Sequence, residues 1–163
     1  MQLETARLRL RPPRLADARP LLAIFGDAEA QRHTLHFRTL REVRRHIAAH
    51  ERQRRRIGCG PWLVTEKASG AVIGWGGLYE DPFDRRFGIE IAYSFARSGW
   101  GKGYAGELVA FSLAHARVAL GLSEIVAFSH PDNAASRRVL DKAGFVQDRW
   151  IEDLQRHLYR RAL

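Results

Sequence analysis

The segment Trp100-Gly101-Lys102-Gly103-Tyr104-Ala105-Gly106 constrains this chain more than any other stretch. It follows an apolar, strand-like run ending at Phe95 and opens a helical pattern that continues to about Leu120. Glycines let the backbone turn tightly and approach a ligand closely, and the first turn of a helix offers unpaired N–H groups and the positive end of its dipole. A strand, a glycine turn and a helix start therefore make a cradle for an anion, phosphate above all. On this segment alone the alternative is a glycine-rich connection that holds nothing. Gly101, Gly103 and Gly106 also satisfy G-x-G-x-x-G, but five residues part the strand from the first glycine, and the 34 residues after Ser129 cannot supply a second nucleotide-binding half. A Walker loop is excluded because Gly103, not Ser or Thr, follows Gly101-Lys102.

The remaining pattern predicts a single domain over residues 1–163, without repeats or a linker. Leu3–Arg11 alternates apolar and charged residues and reads as one strand ended by Pro12-Pro13. A helix is expected over Leu15–Phe25 and a second from Thr39 to about Arg56, where Thr39 and Glu42 have capping-box spacing. Trp62–Lys67, Ala71–Tyr79 and Gly88–Phe95 read as three further strands, the first two joined by a Ser69-Gly70 turn. A fifth strand over Glu124–Ser129, a helix over Asn133–Ala143, a short strand after Gly144-Phe145 and a last one around His157–Tyr159 complete the set. The fold class is thus α/β (α+β), a mixed sheet with helices on both faces.

Charge and cysteine count narrow the setting. The chain carries 27 Lys+Arg against 18 Asp+Glu, a net charge of +9. Nine arginines (32, 38, 41, 44, 45, 52, 54, 55, 56) against Glu42 and Glu51 concentrate that excess between Gln31 and Arg56. Such a block attracts polyanions, but Val43, Ile47 and Ala48 recur at helical spacing, so the arginines are read first as a solvated helix face. Cys59 is the only cysteine, which excludes an internal disulfide framework and a multi-cysteine metal site. No signal-peptide pattern opens the chain and no apolar run approaches the roughly 18 residues of a membrane span. A cytoplasmic protein without membrane association is expected, and whether it is a monomer or a homodimer is left open.

Read in order, several blocks resemble the GNAT superfamily of acyl-CoA-dependent N-acyltransferases, and within it the RimJ/RimL-like branch. The family's pyrophosphate loop, Q/R-x-x-G-x-G/A, is matched by Trp100-Gly101-Lys102-Gly103-Tyr104-Ala105, with Trp100 in place of the usual Gln or Arg. Glu4–Arg11 is similar to the opening strand, Ile73–Leu78 to the third and Glu90–Tyr93 to the fourth. Pro131–Ser136 followed by Val139–Phe145 matches the second signature, and the blocks together cover nearly the whole chain. The resemblance implies a largely antiparallel sheet whose parallel fourth and fifth strands splay apart to admit the pantetheine arm of acetyl-CoA, the expected cosubstrate. It implies a carrier site at Tyr93, Ser94, Phe95, Trp100, Gly101, Lys102, Gly103, Tyr104, Ala105, Gly106, Asn133 and Ser136, with a backbone N–H near Tyr93–Phe95 polarising the thioester carbonyl. No metal is expected.

Acyl transfer to an amine also requires a route for protons. Glu90 shares a strand face with the small residues Ala92 and Ser94, opposite Ile89, Ile91, Tyr93 and Phe95, and is the expected base. The alternative is a solvent-facing strand glutamate. His130 is the second choice, with a surface loop role as its alternative. The tyrosine that many relatives place four residues before the Gly-Phe pair is Leu140 here, which leaves Ser136 as the hydroxyl expected to serve the departing thiolate or to start its helix. Asn133 suits the amide-rich pantetheine arm and equally suits a helix cap. An α-amino group costs about 1.4 kcal/mol to deprotonate at pH 7, a lysine roughly 4.6. A protein N-terminus is therefore an easier acceptor than lysine, and a small-molecule amine stays open beside it. The rival readings are a basic nucleic-acid or ribosome-associated module working through residues 31–56, and a catalytically inactive CoA-binding regulator.

Overall fold

The computed structural model describes residues 2–163. The expected first strand is instead a tight hairpin, β1 (Leu3–Glu4) folding back on β2 (Leu8–Arg11) with Leu3 opposite Leu10. The alternation of Leu8 and Leu10 with arginines was a true strand signal, but the reversal at Thr5–Arg7 is fixed from a hundred residues away. Glu107 accepts from the Thr5 hydroxyl and from the backbone N–H and side-chain Nε of Arg7, and no local residue pattern announces that clasp. All later strands shift in number by one.

Two helices follow, α1 (Ala18–Phe25) and α2 (Leu40–Ile57). Thr39 and Glu42 close the capping box that the spacing predicts, and Gly58 ends α2 in the left-handed conformation at φ 82°. Strands β3 (Trp62–Glu66), β4 (Val72–Glu80) and β5 (Ile89–Phe95) form an antiparallel meander. The chain then enters α3 (Tyr104–Val118), β6 (Glu124–Ser129), α4 (Ala134–Lys142), β7 (Val146–Ile151) and β8 (Arg156–Ala162). The last strand is longer than the sequence suggests and lies inside the sheet, whose order is β1-β2-β3-β4-β5-β6-β8-β7.

The core divides by sheet face, as strand alternation requires. On one side α1 and α2 bury Leu21, Phe25, Val43 and Ile47 against Leu63, Trp75 and Tyr79. On the other, α3 and α4 bury Leu108, Val109 and Leu140 against Leu10, Leu78, Ile91 and Ile125. Gly77 permits the close layer: a Cβ there would meet the Trp62 ring at 2.4 Å.

One pair in the sheet is parallel, and it is short. β5 and β6 meet only at Glu90↔Val126 and Ile91↔Ala127. β5 stays with β4 as far as Gly74↔Phe95, and β6 stays with β8 as far as Ser129↔His157. Each half-sheet keeps its own partner and twist, so the strands part beyond Ile91 and leave a gap through the sheet. No helix among the described residues is long and apolar enough to cross a membrane.

Candidate active site

Two cavities meet at this gap. The larger, about 380 Å³, is lined by every residue expected at the carrier site except Lys102. It runs from the gap, at Tyr93, Ser94 and Phe95, to the start of α3, with Asn133, Ser136 and Val139 of the α4 segment as its opposite wall. Lys102 turns outward, its ammonium 3.9 Å from Glu66, while its carbonyl accepts from Arg7 at 2.8 Å.

The loop geometry explains the glycines. Gly101 and Gly103 sit at φ 72° and 79°, and a Cβ added at Gly101 or Gly106 would find nothing within 4 Å, so the backbone lies bare toward the cavity. The first helical bond of α3 runs from Glu107 N–H to Gly103 O, which leaves the preceding N–H groups without an intrahelical acceptor. Glu107, an anion in that first turn, is neutralised by Arg7 at 2.7 Å. Trp100 donates its indole N–H to Phe95 O at 3.0 Å, tying the loop back to the strand it left. This answers the departure from the usual Gln or Arg: the indole braces the loop.

The strand supplies the next element. Ala96 N–H donates to Ile73 O at 2.9 Å, and in an antiparallel pair the donors alternate sides. The N–H groups of Tyr93 and Phe95 therefore point away from β4, toward the gap. Bare backbone donors, a helix N-terminus and two gap-facing amides fit a pyrophosphate joined to an amide-bearing arm. Arg32, on the rim and without a carboxylate partner among the described residues, adds a cation.

The smaller cavity, about 100 Å³, lies between Glu90, Tyr79, Phe128, His130 and Arg156. It shares His33, Thr34, Tyr93, Asn133 and Ser136 with the larger one, so the two communicate beside the end of β5. Glu90 is 8% exposed. Its carboxyl is pushed up to about 8, chiefly by burial and then by the charge of Asp81, against the pull of Arg156. Tyr79, buried behind it, has its hydroxyl raised well above the ordinary range by burial and by Glu90 itself. The solvent-facing alternative for Glu90 is thus replaced by a desolvated carboxyl at a cavity wall.

His130 closes the same cavity from the end of β6, its ring stacked on His33 at 4.8 Å, and its Nδ1 accepts from Asp132 N–H. On α4, Asn133 Oδ1 accepts from Ser136 N–H at 3.1 Å, so the asparagine caps its helix while its amide faces both cavities. The Ser136 hydroxyl lies 3.3 Å from that of Tyr93. Tyr93, expected for its backbone, thereby brings a phenol to the passage; burial raises it to about 12.

The sequence missed the strap over both cavities, residues 27–34. Buried Gln31 accepts from Ser94 Oγ at 3.2 Å and donates to Ile24 O, and Arg97 pairs with Asp27 and Glu29. Arg156 of β8 donates to His33 O. These are single long-range contacts of polar residues in a segment without periodicity, so no sequence signal marks them. Among the described residues no three metal-ligating side chains gather.

Comparison with known proteins agrees with this geometry. Residues 7–146 match the family model described as an acetyltransferase (GNAT) domain. The Bacillus subtilis protein YoaA, described as an uncharacterized N-acetyltransferase, is 30% identical over 152 residues, covering 90% of this chain and 83% of that protein. An acetyltransferase structure from Agrobacterium tumefaciens str. C58 superposes with a TM-score of 0.84 at 24% identity, over 99% of this chain and 94% of the other. The RimL ribosomal L7/L12 α-N-protein acetyltransferase, in complex with coenzyme A, shares the fold with a TM-score of 0.79 at 18% identity, covering 100% and 98%. The family match over most of the chain and the splayed β5–β6 pair lead to one conclusion: this chain belongs to the GNAT family of acetyltransferases and is an acyltransferase.

Proposed function

We propose that this chain moves the acetyl group of acetyl-CoA to the α-amino group of a peptide N-terminus. One observation carries the reading: a buried carboxyl raised to about 8 ends a cavity of about 100 Å³ that opens on the carrier cavity at Tyr93, Asn133 and Ser136. The RimL likeness, a fold match to an enzyme named for a protein N-terminus, leans the same way.

The carrier, when bound, supplies an activated acetyl thioester. The backbone N–H groups of Gly101–Gly106 and Arg32 hold its phosphates, and the gap-facing amides of Tyr93 and Phe95 receive the thioester oxygen. Glu90 takes the proton of the incoming amine. An α-ammonium near pKa 8 meets a carboxyl near 8, so the transfer is close to balanced, and an approaching cation stabilises the ionised carboxylate. The same base is about 2.4 units short of a lysine. The leaving sulfur emerges beside the Tyr93–Ser136 hydroxyl pair, which donates a hydrogen bond to the developing thiolate. A phenol near 12 keeps its proton against a thiolate, so its contribution is stabilisation of charge; as the C–N bond forms and the C–S bond breaks, the second proton shed by the nitrogen reaches the thiolate through water. Ser136 then orients the phenol and is a positioning residue.

Thiol release from acetyl-CoA tests the reading against three acceptors: short peptides with a free α-amine, the same peptides blocked at the N-terminus but carrying lysine, and an amino sugar. Release with the first set alone is expected. Release confined to lysine or to the amino sugar overturns the acceptor, and calorimetry without saturable acetyl-CoA binding overturns the whole.

A further inference from the structure

A third cavity, about 630 Å³, lies away from the active site, between the chain after β2 and the outer face of α2. Arg11 opposes Leu63, Leu63 opposes Trp75 and Trp75 opposes Ser94, so the groove is three strand spacings, about 14 Å, from β5. Its polar lining is Arg11, Arg14, Arg52, Arg55 and one carboxylate, Glu51, which is neutralised by Arg54 and Arg55, and Leu15 and Ile47 contribute to its aliphatic floor. Leu15 is 54% exposed, an apolar surface left open to water.

The ion pairs show which charges are free. Arg11 is held by Asp17 at 2.7 Å and Arg55 by Glu51 at 3.2 Å. Arg14 donates its backbone N–H to Asp17, but its guanidinium and that of Arg52 have no carboxylate within 4.0 Å among the described residues, and neither do those of Arg41 and Arg45, which continue the Arg52 stripe along the helix. From Arg41 to Arg55 the stripe runs about 21 Å. Four of the seven arginines of α2, Arg41, Arg44, Arg45 and Arg52, therefore make no salt bridge among the described residues, and of these Arg52 lies on the groove itself.

We propose that this groove is a docking surface for an acidic peptide segment of a partner protein, one that carries aliphatic side chains between its carboxylates. Guanidinium forks match carboxylates in two-pronged geometry, and the floor takes aliphatic side chains that water disfavours. Nucleic acid is the less suitable occupant because the groove has no aromatic side chain on which a base stacks. The proposal stands apart from acetyl transfer, because no groove residue lines either active-site cavity.

Fluorescence anisotropy tests it with a labelled peptide of alternating glutamate and leucine, about 12 residues long, at about 0.15 M salt. Saturable binding is expected, weakened about tenfold or more by Arg14→Glu with Arg52→Glu and left unchanged by Arg117→Glu, a single charge reversal on exposed α3 surface. Replacing the leucines by serine is expected to weaken binding, and higher salt likewise. Both arginines are exposed, so acetyl-CoA affinity stays at the wild-type value and reports an intact fold. Equal binding of a glutamine–leucine peptide, indifference to the double substitution, or preference for an oligouridylate of matched length would each overturn the proposal.

Discussion

The carrier cavity and the acceptor cavity share a wall but are built in opposite ways. Apart from strap residues between Glu29 and Thr34, the first is made from two short stretches, Tyr93–Gly106 and Asn133–Val139, in which strand end, turn and helix start follow one another along the chain. The second is assembled from Tyr79 on β4, Glu90 on β5, His130 after β6, Arg156 on β8 and His33 on the strap. Backbone does most of the work in one and individual side chains in the other. A ligand presenting the same phosphates to any carrier enzyme is met by main-chain donors that any sequence with the right turn provides. The acceptor side depends on side chains held by five separate elements.

Substitutions that disable one cavity and spare the other separate the two. The largest expected effect is Gly103→Asp. Its φ of 79° disfavours a side chain, and a carboxylate at the start of α3 repels an anionic ligand. Acetyl-CoA affinity is expected to fall about a hundredfold or more by titration calorimetry, with thermal stability lowered only modestly. Retained affinity would mean that the loop is not the phosphate site.

Glu90→Gln acts on the other cavity. Turnover is expected to fall at least about tenfold while acetyl-CoA affinity holds, and the rise of kcat toward about pH 8 that the wild type should show is expected to vanish. The substitution also changes stability in a direction that a merely structural residue would not. Glu90 is raised from 4.5 to about 8 in the folded chain, so its favourable contribution is full below 4.5 and is lost as pH rises through 8. At pH 7 the burial of this group costs about 3 kcal/mol relative to a neutral isostere, and the glutamine variant should be the more stable protein above neutrality. Equal pH dependence of unfolding in the two proteins would place Glu90 in solvent.

Tyr93→Phe tests the shared wall and is expected to be milder. It keeps the ring that packs beside Phe95 and removes only the hydroxyl near Ser136. A severalfold loss of kcat is expected with coenzyme A affinity unchanged. The thiol of bound coenzyme A, followed by thiolate absorbance, should titrate at higher pH than in the wild type. An unmoved thiol titration would leave the phenol without a catalytic role.

What the sequence made legible follows the same division. The Ser69-Gly70 turn, the Thr39–Glu42 capping box, the Gly101–Gly106 turn and the Gly144 stop are local devices, each readable in a few neighbouring residues, and all are present. The alternation that set Glu90 opposite Tyr93 gave their faces correctly, since strand geometry alone decides it. Their surroundings were not legible. Glu90 is raised by its burial and by Asp81, against Arg156 from β8, and Tyr93 reaches Ser136 across 43 residues. The hairpin at Thr5–Arg7 depends on Glu107, and β8 enters the sheet between β6 and β7 because β6 needs a second partner where it leaves β5. Contacts between distant residues, each a single polar pair, leave no periodicity to read.

Gln31 is the residue where the two halves should fail together, by the smallest margin. It is 2% exposed, donates to Ile24 O, and accepts from both Thr34 and Ser94, so one amide joins α1, the strap and β5. Gln31→Ala leaves a buried carbonyl and two hydroxyls without their partner, which costs about 1–3 kcal/mol of stability. Because the strap lines both cavities, the Michaelis constants for acetyl-CoA and for acceptor should rise together by a few fold, with kcat nearly constant. Gln31→Glu keeps the accepting oxygen and loses the bond to Ile24 O, so it should restore the Ser94 and Thr34 contacts while introducing a buried charge. If only the acceptor constant moves in Gln31→Ala, the strap acts on the acceptor side alone and the carrier cavity is held by its own local sequence.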